Sequence, residues 1–169
     1  MLDIFSDLSP FFEDSYRRIH VREYARLKAI SPPSASRKLD GLHNEGLLKR
    51  ERDRGYIRYY SNRDSRIFVH LSRIFWMERL RMTGLLDELE KGFVSPVIIL
   101  FGSVSKAEIT QRSDIDIAVF SPTQKKPELA RFEKRLKRRI QLFTFRSKDE
   151  APTELLNSIL NGHIISGAW

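Results

Sequence analysis

The residues whose types and spacing most plainly invite chemistry are Gly102, Ser103, Asp114 and Asp116. The Gly-Ser pair closes the apolar run Ile98-Ile99-Leu100-Phe101. After ten intervening residues, Asp114-Ile115-Asp116 opens a second apolar run that ends at Phe120. Alternate side chains of a strand share a face, so Asp114 and Asp116 project to the same side. Two carboxylates together in apolar surroundings repel each other and resist desolvation. A divalent cation relieves both problems, and hard oxygen donors of this kind suit Mg²⁺. Gly102 allows backbone to approach a ligand closely, while Ser103 offers a hydroxyl and an N–H to a phosphate.

These residues need strands to hold them. Val97 to Phe101 and Ile115 to Phe120 read as two strands with a hairpin-like return. Pro127 to Arg139 reads as a strongly basic helix, Ile140 to Phe145 as a third strand, and Pro152 to Asn161 as a last helix ending at Gly162. Together they predict a small mixed sheet with helices on one side. Segment 125–139 holds eight Lys and Arg against Glu128 and Glu133. Such a run is more often a solvated helix face than a binding surface.

The Gly-Ser pair, its spacing to Asp-x-Asp and the tail from Ile159 to Gly167 resemble the nucleotidyltransferase superfamily that includes DNA polymerase beta. Within it they are similar to the minimal nucleotidyltransferases of prokaryotes, over roughly Val94 to the C-terminus. The resemblance implies that Gly102 and Ser103 grip phosphates and that Asp114 and Asp116 are catalytic and hold Mg²⁺. Lys106 keeps the positive charge of the family's basic turn. It further implies transfer of a nucleoside monophosphate from a nucleoside triphosphate to an acceptor. A protein acceptor is among the candidates, since related minimal enzymes modify partner toxins. Two features depart from the family pattern: the turn Val104-Ser105-Lys106-Ala107 lacks the usual glycine and keeps only Lys106 of its charge, and the third carboxylate is missing. The position of the usual third carboxylate is Gln141, and an amide orients a hydroxyl but cannot take its proton.

The N-terminal half has a different pattern. Val21, Tyr24, Ala25 and Leu27 form an apolar helical stripe, and Ser31 with Pro32 predicts the cap and first turn of a second helix. Ala35, Leu39 and Leu42 mark that helix's buried face, and Gly46 its end. Lys49–Arg52, the turn Asp53-Arg54-Gly55, and Tyr56–Ser61 predict a basic hairpin. Its tyrosines Tyr56, Tyr59 and Tyr60 read as packing residues. From His20 to Tyr60 the chain resembles the winged helix-turn-helix of prokaryotic transcription regulators. Such modules place the second helix of the pair in the major groove of double-stranded DNA. The resemblance puts Ser34, Ser36, Arg37 and Lys38 against DNA, with Arg52 and Arg54 at the wing.

Asp64 to Lys91 reads as helix without proline, with Gly84 as a candidate break and Gly92 as its end. It carries too many apolar residues for one stripe on a solvent-bridging helix. A homodimer through this helix is the preferred reading, and burial against the C-terminal half of the same chain is the alternative. The expected organisation is α+β: a winged helix-turn-helix at 1–63, a connector helix at 64–92 and a nucleotidyltransferase-like domain at 93–169.

Composition narrows the classes. The 169 residues contain no cysteine, which excludes disulfides and thiolate metal sites. The four histidines show no ligand spacing. The N-terminus is acidic with too short an apolar run for a signal peptide, and no run approaches membrane-spanning length, so a cytoplasmic protein without membrane contact is expected. The net charge of +8 favours a polyanionic partner. Residues 1–92 hold 18 Lys and Arg against 14 Asp and Glu, and the remainder 12 against 8, so charge alone does not say which half meets nucleic acid. Two functions follow: a DNA-binding nucleotidyltransferase, or a transcription regulator whose C-terminal domain only binds or senses nucleotide, or is inactive.

Overall fold

The computed structural model describes residues 3–53, 55–123 and 125–169. Among them are eight α-helices and two sheets, an α+β arrangement. Two compact units form, Met1–Ser72 with Ala107–Gln111, and Arg73–Lys106 with Arg112–Trp169.

The first unit runs α1 (Asp3–Glu13), β1 (Ile19–His20), α2 (Val21–Lys28), α3 (Pro32–Asn44), β2 (Leu48–Asp53), β3 (Tyr56–Ser61) and the start of α4 (Arg66–Thr83). The strands form an antiparallel sheet in the order β1-β3-β2. Ser31 caps α3 by accepting from the Ser34 N–H, and prolines occupy its first turn, where no intrahelical donor is needed. Ala35, Leu39 and Leu42 are buried, as their spacing predicts. The β2–β3 hairpin pairs Asp53 with Tyr56, and Gly55 takes a φ of 83° in the turn. Tyr59 is buried, and its hydroxyl donates to Asp40 Oδ1 at 2.7 Å. Burial, reinforced by that carboxylate, pushes its phenol up to about 12.

Three features of this unit depart from the sequence reading, the first being Tyr56, which is exposed at the hairpin turn rather than packed. Leu27 is exposed, because Val21, Tyr24, Ala25 and Lys28 make up the i, i+3, i+4, i+7 face of α2. Lys28 reaches Ser6 O and Ser9 Oγ from that face. The helix α1 was not anticipated. It buries Phe5, Leu8, Phe11 and Phe12, with Phe12 5.2 Å from the Phe68 ring and Phe11 6.3 Å from the Tyr24 ring.

The second unit contains the rest of α4, then α5 (Leu85–Gly92), β4 (Val97–Phe101), α6 (Gly102–Ser105), β5 (Ile115–Phe120), α7 (Ala130–Leu136), β6 (Ile140–Phe145), a 3-10 turn (Lys148–Glu150), α8 (Thr153–Leu160) and β7 (His163–Ser166). The sheet order is β6-β5-β4-β7, with β5 and β6 parallel and the other pairs antiparallel. Gly84, at φ 81°, separates α4 from α5, and Gly92 ends α5. Phe75, Trp76 and Leu80 of α4 are buried, and the Arg138 guanidinium lies 5.2 Å from the Trp76 ring centre. That part of the helix therefore packs on the C-terminal half of its own chain, while Ile67, Ile74 and Met82 remain exposed.

All five residues of β4 are buried, so both faces of the sheet centre are covered. On one face Val97, Ile99, Phe101, Ala118 and Phe120 pack around Ile159 of α8. The basic helix is shorter than expected. It starts at Ala130, beyond Pro127, and ends where Lys137 turns left-handed with φ 55°. The tail after Gly162 forms β7 on the free side of β4.

Residues 107–111 pack with the first unit through Ser15, which is 2% exposed. The Ser15 N–H and hydroxyl donate to Ile109 O at 2.8 and 3.1 Å, and the Ile109 N–H donates to Ser15 Oγ at 3.0 Å. A buried donor left without a partner costs about 1–3 kcal/mol. Ser15→Ala is therefore expected to lower unfolding free energy by about 1–3 kcal/mol in urea titration, since the Ile109 N–H loses its acceptor.

Candidate functional site

β4 delivers Gly102 and Ser103 at its C-terminal end, and β5 begins just after Asp114. The antiparallel register pairs Phe101 with Asp116, which brings the glycine beside that carboxylate. A Cβ on Gly102 would lie 2.1 Å from Asp116 Oδ2, and its φ is +68°. Glycine is needed here on both counts. Ser103 is half-buried in α6, and Lys106 is exposed at that helix's end. The turn is braced by groups the sequence reading missed. Ser105 donates to Gly102 O at 2.9 Å, and Arg73 Nε donates to Ser105 O at 2.6 Å. Only a serine two residues beyond the Gly-Ser pair hinted at this brace; Arg73 lies too far away in sequence to be found by spacing.

Asp114 and Asp116 are both partly buried. Burial holds the Asp116 carboxyl above the usual carboxylate range, and the negative charge of Asp114 adds to the effect. β6 lies parallel to β5 with Gln141 opposite Asp116. The Gln141 side chain does not bond its register partner. Its Nε2 donates to Asp114 Oδ2 at 2.6 Å. The amide thus steadies one carboxylate without adding a third. Among the described residues no group of three or more His, Cys, Asp or Glu side chains converges as a metal site. Glu150, an acid downstream of β6, accepts from the Arg146 N–H at 2.8 Å.

The donor set fits a single hard cation. Two carboxylates share one small space, and one of them is already disfavoured in its charged form. Asp114 and Asp116 would supply the protein ligands, with phosphate oxygens and water completing the shell.

The DNA-facing candidates lie in the first unit. Arg37 is exposed, and its Nη2 donates to Ser34 Oγ at 3.4 Å. Ser36 donates to Asp40 Oδ2 at 3.3 Å. Lys38 is held by Asp7 of α1 at 2.6 Å. Arg52 is exposed on β2, and Arg54 falls outside the described residues. Several cations of segment 125–139 brace their own unit. Arg131 pairs with Glu88 at 2.5 Å, Arg135 donates to Thr83 O at 2.9 Å, and Arg138 donates to Ser113 O at 2.9 Å.

The raised pKa of Asp116 sets a pH dependence. Its folded value lies above its unfolded one, so this group favours folding at low pH, and the contribution is lost as pH rises through the folded value. Asp114→Asn removes the charge-repulsion part and is expected to move the Asp116 titration down toward the ordinary carboxylate range, leaving the larger burial part. Carboxyl ¹³C NMR across acid pH measures it.

Residues 87–167 match the family model described as Polymerase beta, Nucleotidyltransferase. The matched stretch contains Gly102, Ser103, Asp114, Asp116 and Gln141, and it is similar to the nucleotidyltransferase domains of that family. No curated protein and no solved structure matches the chain. Among the described residues no helix is long and apolar enough to cross a membrane.

Proposed function

We propose that the chain is a DNA-binding nucleotidyltransferase. In this reading residues 1–63 are a winged helix-turn-helix, 64–92 a connector whose exposed Ile67, Ile74 and Met82 remain to pair two copies, and 93–169 the catalytic domain. The observation that carries the catalytic part is the packing of Asp116 against Gly102 beside Asp114, inside a stretch similar to nucleotidyltransferases. The substrate is a nucleoside triphosphate, and the acceptor bears a hydroxyl, on a protein, a nucleic acid end or a small molecule.

Mg²⁺, when bound by Asp114 and Asp116, would neutralise charge on the triphosphate and polarise the phosphorus under attack. The chain's residues do the rest. The backbone at Gly102 and the hydroxyl and N–H of Ser103 hold the outer phosphates, and Lys106 adds a positive charge. The acceptor hydroxyl attacks the alpha-phosphorus, the bond to the beta-phosphate breaks, and pyrophosphate leaves. Gln141 keeps Asp114 oriented through its 2.6 Å bond. It does not accept the acceptor's proton, which passes to water or to the acceptor's own surroundings.

That bond also favours a second reading, in which the domain binds nucleotide without transferring it and serves a transcription regulator. Calorimetric titration of ATP, GTP, CTP and UTP separates the cases when joined to alpha-labelled nucleotide transfer. Both readings expect Mg²⁺-dependent binding that Asp114→Asn/Asp116→Asn abolishes. Labelled product from the wild type supports transfer. Binding without product, converted to transfer by Gln141→Glu, supports the sensor. A positioned base contributes about 10²–10⁴-fold, which sets the expected gain.

DNA binding rests on the order of helices and hairpin in the first unit and on the exposure of Arg37 and Arg52. Arg37→Ala with Arg52→Ala is expected to weaken duplex binding and to reduce the slope of log affinity against log salt by about 2. Fluorescence anisotropy between low and moderate salt measures it, and an unchanged slope removes the DNA reading.

A further inference from the structure

The sheet of the second unit has an open edge that the nucleotide site does not use. Among the described residues β6 is an outer strand, paired with β5 on one side. Two bonds set the phase of the ladder: the Ile115 N–H donates to Arg139 O, and the Ser121 N–H donates to Phe145 O. In a parallel pair, the residues between those that bond inward turn their N–H and C=O outward. The inward set on β6 is Gln141, Phe143 and Phe145. Ile140, Leu142 and Thr144 therefore present their peptide groups at the edge. The Ile140 N–H is already taken by Glu133 Oε1 at 2.9 Å. Leu142 and Thr144 have no such partner among the described residues. An edge of this kind templates another strand.

The side chains of those outward residues line a cavity of about 590 Å³. Ile140, Leu142 and Thr144 form one wall. Pro127 and Leu129 make an apolar wall opposite, and Lys125 and Lys126 complete it. These strand residues alternate with Gln141, so the cavity opens on the face away from the Asp114–Gln141 bond. The volume falls within the usual range of binding clefts.

Charge identifies the occupant. No carboxylate lines the cavity. Arg131, Arg135 and Arg138 of the same segment are spent on Glu88, Thr83 and Ser113. Lys125 and Lys126 have no ion pair among the described residues. A second copy of this chain would bring the same lysines against one another, which is unfavourable. An added strand gives affinity through main-chain bonds, and alternate side chains in pockets give specificity.

We propose that the β6 edge and its cavity dock an extended segment of a partner protein, with apolar and acidic residues alternating on the inward face. This proposal is independent of the nucleotide site.

The test uses the full chain and a fluorescein-labelled peptide. Thr occupies every second position, and Val, Glu, Val and Glu occupy the others in that order. Anisotropy is expected to show saturable binding. Lys125→Glu with Lys126→Glu should weaken it about tenfold or more, as rim charges facing an acidic partner do. A peptide with Lys for Glu should bind that double variant better than the wild type. N-methylation of the inward-bonding peptide groups should abolish binding, while methylation of the outward ones should not. Absence of saturable binding overturns the proposal, as does binding indifferent to the methylation pattern or to the lysines. Sedimentation gives the last outcome. A dimer of the wild type that Thr144→Pro dissolves would assign the edge to a second copy and overturn the partner reading.

Discussion

Two carboxylates held together at the start of one buried strand are the constraint to which the surrounding structure answers. Asp114 and Asp116 precede and enter β5, a strand otherwise made of apolar residues that are buried. Burial and mutual repulsion both oppose the charge on Asp116. The local architecture accommodates it with free space, since Gly102 leaves room where any Cβ would collide with the carboxylate. Gln141 supplies a neutral donor to Asp114. A carboxylate at that position would have added a third negative charge to the pair, and the neutral amide avoids that repulsion.

The rigidity needed to hold such a pair comes from burial on both sides of the sheet. β4 has no exposed residue, and α8 seals the face that also carries Phe143 and Phe145 against the core. The short α6 is held at its carbonyls by Ser105 and Arg73 rather than by its own length. A four-residue helix has little stability alone, so these bonds fix where Ser103 sits.

The basic character of the chain looks different once its cations are assigned. Lys38 is tied to Asp7, and Arg131, Arg135 and Arg138 are tied to a carboxylate and two carbonyls. These ties leave the net charge of +8 unchanged but fix where part of the positive charge sits. Arg37 and Arg52 are exposed in the first unit and Lys125 and Lys126 in the second, so charge balance by halves singles out neither.

What the sequence determined by itself was local in origin. The strand Ile140–Phe145, the strands on either side of the Gly-Ser and Asp-x-Asp motifs, the Ser31 cap and the Gly55 turn all follow from neighbouring residues. So does the spacing of Gly-Ser to Asp-x-Asp within the stretch similar to nucleotidyltransferases. The tertiary structure decided what depends on distant partners. Phe5, Leu8, Phe11 and Phe12 are nearly a helical stripe, but α1 needs Phe68 and Tyr24 to bury it. β7 is a short strand whose place beside β4 requires Gly162 and Gly167, where a side chain would meet the backbone of Leu100 and Pro96. The partner of Gln141 was decided by the parallel register of β6, which sets it opposite Asp116 while its amide reaches Asp114. Periodicity reports which residues seek burial; only the chain folded on itself supplies the surfaces and partners that satisfy them.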